Sequence, residues 1–174
     1  MQLSVKSTIP FPVQRVYEAM RDHMPKLADY IPNVDSIIVK TKEYQGDTLY
    51  LVNQWNPSMD DIPSVAQPFI PEDKQYWLDY AYWKDAERAC DWRLEMAFMP
   101  NRITCNGRTA FFPLNDKTTE MRIQGELILN LKGRVPRLFL NKATKGVEKF
   151  VGKLIEPNFK KTAQALTDFL RENG

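Results

Sequence analysis

The last forty or so residues constrain the fold most. From Val135 onward apolar residues recur at 135, 138, 139, 143, 147, 150, 151, 154 and 155, and then at Phe159, Ala163, Leu166, Phe169 and Leu170. Spacings of three and four place them on one face of an α-helix. Pro157 stands in the middle of this run. Four residues separate Ile155 from Phe159, and four more reach Ala163, so the helical phase survives the proline. Two independent helices would have no reason to keep that register. The spacing predicts one long helix over 134–172, kinked near 153–157. There the proline removes a hydrogen bond and crowds the carbonyl four residues back. Pro136 falls in the first turn, where its missing N–H costs nothing.

The rest of the chain supplies a surface for that helix. Residues 118–131 (TTEMRIQGELILNL) put Met121, Ile123, Gly125, Leu127, Leu129 and Leu131 on one face. Glu120, Arg122, Gln124, Glu126 and Asn130 fall on the other, with Ile128 the exception. One dry face and one wet face mark an antiparallel strand. Residues 3–9 alternate in the same way. An amphipathic helix follows, through Val13, Val16, Tyr17, Met20, Met24 and Leu27, limited by Pro32. Strand patterns recur at 36–44 and 48–55 around Gln45-Gly46-Asp47, a hairpin signal, and at 75–84, 88–96 and 102–113. Residues 56–75 carry four prolines and read as an ordered loop excursion.

The order is strand, helix, six strands, long helix. Local features match it: the opening LSVKSTIPFPVQRVYEAMRD, the IPNVDS lead into the second strand, and the closing KKTAQALTDFLREN. In these features the chain resembles the START-like (SRPBCC) superfamily, which includes polyketide cyclase and lipid-transport relatives and the Bet v 1 allergens. The resemblance spans nearly the whole chain, apart from the insertion at 56–75. It implies one domain over 1–174 with an α+β helix-grip fold, a curved seven-stranded antiparallel sheet wrapped around a long C-terminal helix. It further implies a hydrophobic ligand held between sheet and helix.

Strand parity proposes the lining of such a cavity. The inward set is Leu51, Asn53 and Trp55; Cys90, Trp92 and Leu94; Ile103, Cys105, Thr109 and Phe111; Met121, Ile123 and Leu127. Phe139, Ala143, Val147, Phe150, Val151 and Leu154 would face it from the helix. Strand 76–83 is aromatic on both faces. A three-residue turn before Cys90 would bring Tyr80 and Tyr82 inside; a two- or four-residue turn would bring Trp77, Asp79 and Trp83 inside. The tyrosine face is expected inside, because Asp79 there would be an unpaired buried charge.

Catalytic signatures are absent. A Ser-His-Asp or Cys-His arrangement would have to use His23, the single histidine, which sits near a helix end. There is no CxxC, HExxH, GxGxxG or P-loop, so no metal and no cofactor are expected. Cys90 and Cys105 read as reduced core thiols. The N-terminus carries no signal-peptide pattern and no apolar run approaches the ~20 residues of a spanning helix, so a cytoplasmic location is expected. Residues 132–161 hold nine bases, Lys132, Arg134, Arg137, Lys142, Lys145, Lys149, Lys153, Lys160 and Lys161, against Glu148 and Glu156. Such a segment reads first as a wet helix face and second as a peripheral contact with anionic membrane. Nucleic acid is not expected, since net charge is only +2 and no aromatic-and-basic platform is present.

The reading is thus non-catalytic binding or transport of a hydrophobic small molecule or lipid. One alternative is a cyclase or aromatase acting on a polyketide-like substrate through Tyr80, Tyr82, Asn53 or Thr109. The other is a protein-interaction module with a filled core.

Overall fold

The computed structural model describes residues 1–58, 70–130 and 140–173, and in the last stretch the side chains of 141, 145, 146 and 158–173. Strand β1 (Gln2–Ile9) leads to helices α1 (Val13–Asp22) and α2 (Met24–Leu27). Strands β2 (Val34–Gln45), β3 (Thr48–Pro57), β4 (Trp77–Lys84), β5 (Ala89–Met96), β6 (Ile103–Asn115) and β7 (Thr118–Leu129) follow, and then helix α3 (Leu140–Asn173). The strands form one seven-stranded sheet in the order β1-β7-β6-β5-β4-β3-β2, with every pair antiparallel. Consecutive strands from β2 to β7 are neighbours, and β1 closes onto β7. The expected α+β helix-grip architecture is the one observed.

The alternation in β7 explains its place. Met121, Ile123 and Leu127 are buried, while Arg122, Gln124 and Glu126 are exposed. Ile128, the exception in the pattern, is 44% exposed. The β2–β3 hairpin turns at Gly46-Asp47, where Gly46 takes φ +62°, a value that suits a residue without a side chain. Helix α3 runs unbroken through Pro157, so the preserved apolar phase was the right guide. The expected kink falls at 153–157, whose side chains lie outside the described residues, as do the stretch 134–139 and residues 59–69 of the proline-rich segment. Ala163, Ala165, Leu166, Phe169 and Leu170 bury the second half of α3 in the core. Phe169 meets the rings of His23 (5.5 Å), between α1 and α2, and of Tyr30 (5.8 Å), just beyond α2, so α3 packs against the two short helices. Among the described basic residues of the charged segment, Lys145, Lys160 and Lys161 are exposed.

One turn departs from expectation and changes the site. Lys84 pairs with Ala89, leaving four residues, Asp85–Arg88, in the β4–β5 connection. Arg88 takes the left-handed conformation (φ 45°) that closes it. The turn is tied to α1, because Tyr17 Oη donates to Asp85 Oδ1 (2.7 Å) and Arg21 Nη1 donates to the same oxygen (2.8 Å). The Tyr17 hydroxyl, with Arg21 beside it, holds the Asp85 carboxyl below its ordinary range. Tyr17→Phe is expected to lower the unfolding free energy by about 1 kcal/mol, read as a shifted urea midpoint with an unchanged slope.

Candidate ligand pocket

Directly paired residues of an antiparallel ladder share a face. The four-residue turn sets Trp83 opposite Cys90, Ala81 opposite Trp92, Asp79 opposite Leu94 and Trp77 opposite Met96. The tryptophan face of β4 therefore points inward with Cys90 and Trp92. Trp77, Asp79, Ala81 and Trp83 are all buried. The placement of Tyr80 and Tyr82 inside is corrected by this register. Tyr82 is 39% exposed and meets the tilted ring of Tyr50 outside the sheet (4.8 Å), and Tyr80 is half-buried on that same outer face.

The objection to a buried Asp79 is met on β3. Asn53 pairs with Asp79 in the ladder, and its Nδ2 donates to Asp79 Oδ2 (3.1 Å). Burial pushes the Asp79 carboxyl up to about 6, against the opposing pull of the Asn53 amide. The Trp55 indole N–H adds a pull of the same sign, although it completes no hydrogen bond of good geometry. Parity on β3 had already put Asn53 and Trp55 inside. The cross-strand partner of an inward Asn is where an inward Asp finds a donor, and that signal was available in the sequence.

Between this face and the helices lies a pocket. It is lined by Trp55, Trp77, Asp79, Ala81, Trp83, Cys90, Trp92, Leu94, Thr109 and Ile123 from the sheet. Met20 and Met24 line it from α1 and its junction with α2, and Asn158, Phe159 and Thr162 from α3. It offers about 70 Å³ to the centre of a water-sized sphere, several times the roughly 10–15 Å³ that one water needs. All four tryptophans of the chain are in its wall. Trp55 and Trp77 stack at 5.7 Å with ring planes 20° apart, and Phe159 meets Trp92 edge-on at 5.2 Å. Trp92 Nε1 donates to Thr109 Oγ1 (3.0 Å), which fixes that ring.

The ring of Trp92 also lies over two glycines. A Cβ on Gly125 would stand 2.7 Å from Trp92, and one on Gly107 would collide with both the ring and the Gln124 carbonyl oxygen. These two facing positions on β6 and β7 make the room the indole occupies.

Polar atoms in this wall are incompletely paired. Trp55 Nε1, Trp83 Nε1 and Asn158 Oδ1 are buried without partners, as is Oδ1 of the Asn53 amide that donates to Asp79. The buried Cys90 thiol is pushed well above its usual range, mainly by burial, and Cys105 up to about 12 for the same reason. Neither is poised to act as a thiolate at neutral pH.

Of the residues anticipated from sequence, Trp55, Cys90, Trp92, Leu94, Thr109 and Ile123 line the pocket, and Asn53 adjoins it through Asp79. Cys105, Phe111 and Met121 are buried elsewhere in the core, Phe111 against Tyr17 at 5.7 Å. Phe139 and the side chains of Val147, Phe150 and Leu154 lie outside the described residues. Trp77, Asp79, Ala81 and Trp83 were missed through the wrong choice of face. Asn158 and Thr162 were missed because a polar residue on a helix does not announce which way it faces. Among the described residues no group of His, Cys, Asp and Glu is arranged to hold a metal. Among them, too, no helix is long and apolar enough to cross a membrane.

No protein-family model and no curated protein matches the sequence at a significant level. In structure the chain is similar to the Zhui aromatase/cyclase from Streptomyces sp. R1128, with a TM-score of 0.71 and 15% identity over 100% of this chain and 98% of that one. It is similar to a START superfamily protein from Mycobacterium smegmatis, with a TM-score of 0.58 and 13% identity over 99% of both chains. It is also similar to Ara h 8.0201, with a TM-score of 0.58 and 12% identity over 99% of both chains. The chain has the helix-grip fold that START-like and Bet v 1-type structures share.

Proposed function

We propose that the protein binds a small, mostly apolar organic molecule in the pocket between the sheet and α3. The observation that carries the reading is the pocket wall itself. Every tryptophan of the chain surrounds one space, and Trp83 Nε1 and Asn158 Oδ1 in that wall have no partner. Buried polar atoms in folded proteins are nearly always paired. Orphans gathered around a pocket are what a ligand's polar group would satisfy, while the indoles supply the apolar area. The aromatase/cyclase among the similar structures supports the ligand class without fixing it. A filled-core interaction module fits less well, since the described core leaves this space open.

Calorimetric titration with 2-naphthol, a neutral flat aromatic carrying one hydroxyl, tests the reading. One equivalent is expected to bind. Ala81→Phe, which fills the pocket from β4, is expected to abolish binding while the protein stays folded by circular dichroism. Equal binding by folded Ala81→Phe would place the molecule elsewhere and defeat the proposal.

A second reading rests on Asp79. A carboxyl with a midpoint near 6 is suited to take up and return a proton near neutral pH. In an acid–base enzyme of this kind, Asp79→Asn would lose turnover and keep ligand affinity. Tyr80 and Tyr82, turned outward, have no part in it.

A further inference from the structure

Among the described residues Asp79 is the single buried side chain of the Asp, Glu, Lys, Arg and His types. It is 6% exposed and lines the pocket. Among the described residues the neutral Asn53 amide is its hydrogen-bond partner of good geometry, the neutral Trp55 indole N–H adds a pull of the same sign, and no lysine or arginine reaches it. The chain has 24 lysines and arginines, yet the described ones that pair with carboxylates do so elsewhere, as Lys84 and Arg108 do with Asp91. A buried carboxylate ordinarily takes its cation from the protein. Here the wall facing it holds indoles.

The unpartnered acceptors point the same way. Asn158 Oδ1 lies in the pocket wall, and Asn53 Oδ1 belongs to the amide bound to Asp79. The pocket wall thus carries a carboxylate, Asp79, and an unpartnered amide oxygen, that of Asn158. A protonated primary amine carries three N–H donors and no acceptor. Its charge would supply what Asp79 lacks, and the faces of tryptophans attract cations. An anion would be repelled, and a neutral molecule would leave the carboxylate without its counter-charge.

We infer that the pocket is a site for a small organic ammonium ion, a protonated amine on an apolar or aromatic body, with Asp79 as its counter-ion and Trp55, Trp77, Trp83 and Trp92 as its walls. The inference rests on the ligand-binding reading above and narrows it to a charge class.

Benzylamine and benzyl alcohol separate the two ideas, because they share size and shape and differ in charge at pH 8. Binding is read from the four tryptophan indole N–H resonances of the isotope-labelled protein. Benzylamine is expected to bind at least tenfold more tightly than benzyl alcohol. In Asp79→Asn the preference is expected to vanish with benzyl alcohol affinity retained. In the wild type the preference should fall away between pH 7 and pH 5. Asp79 and the Cys90 thiol are the titratable groups that the described elements turn to the pocket, and the thiol stays neutral throughout that range. If Asp79→Asn failed to fold, the wild-type pH series alone would decide. Equal or tighter binding of benzyl alcohol at pH 8 would overturn the ammonium site and leave the ligand pocket standing. Failure of benzylamine, benzyl alcohol and 2-naphthol alike would overturn both.

Discussion

Asp79→Asn is expected to stabilise the protein at pH 8 by up to about 3 kcal/mol, and the gain is expected to disappear near pH 4. The sign follows from the proton balance. Asp79 has an ordinary carboxyl pKa of 3.8 when unfolded and a midpoint of about 6 when folded. Between those values the folded state holds the proton more tightly, so raising the pH through this window removes stability. Above it the full difference is lost, about two pH units at roughly 1.4 kcal/mol each. Below pH 4 the group is protonated in both states and the substitution is nearly silent. Urea unfolding of both proteins at pH 4, 6 and 8 reads the difference directly. Lower stability of Asp79→Asn at pH 8 would mean that the charge is compensated by something the structure does not place there. A carboxylate held at such a cost is hard to explain by packing alone, and functional sites are where proteins keep such costs.

The second large effect is expected at Gly107. Alanine there would press a methyl group against the Gln124 carbonyl oxygen of the neighbouring strand and against Trp92. Backbone cannot yield as a flexible side chain can, so a loss of about 3 kcal/mol is expected. The displaced indole would enter the pocket and reduce ligand affinity as well. Gly146 is the control. It is exposed in α3 with nothing near its Cβ position, and Gly146→Ala should stabilise by about 0.5–1 kcal/mol through helix propensity alone. Thermal melts of the two variants should shift in opposite directions. A neutral Gly107→Ala would mean that β6 and β7 have slack the structure does not show.

The contrast between what the sequence revealed and what it hid follows from how each signal is encoded. The period of α3 is written in its apolar spacing, and it carried the correct reading across Pro157 because burial repeats every turn. The faces of β3, β5, β6 and β7 were legible because each has one polar and one apolar side. Strand β4 has aromatic residues on both, so its sidedness was set by the length of one turn, and Arg88 gives no composition signal for the left-handed conformation that makes it four residues long. Asp79, expected to be an unpaired charge if buried, has a partner on the neighbouring strand. An amide across the ladder and a raised midpoint accommodate it. Asn158 belongs to the helix that was read best, yet its role depends on which turn of α3 crosses the pocket, a tertiary fact.

The most direct test of the ligand pocket is the indole region of a nitrogen–proton correlation spectrum, recorded while 2-naphthol is added. Four tryptophans give four resonances, and all four rings line the same space. The account expects all four to shift together along one saturable curve, with Trp83, whose N–H has no partner in the free protein, moving most. Resonances that stay fixed while the compound binds would contradict it, because no molecule can enter that pocket without touching an indole.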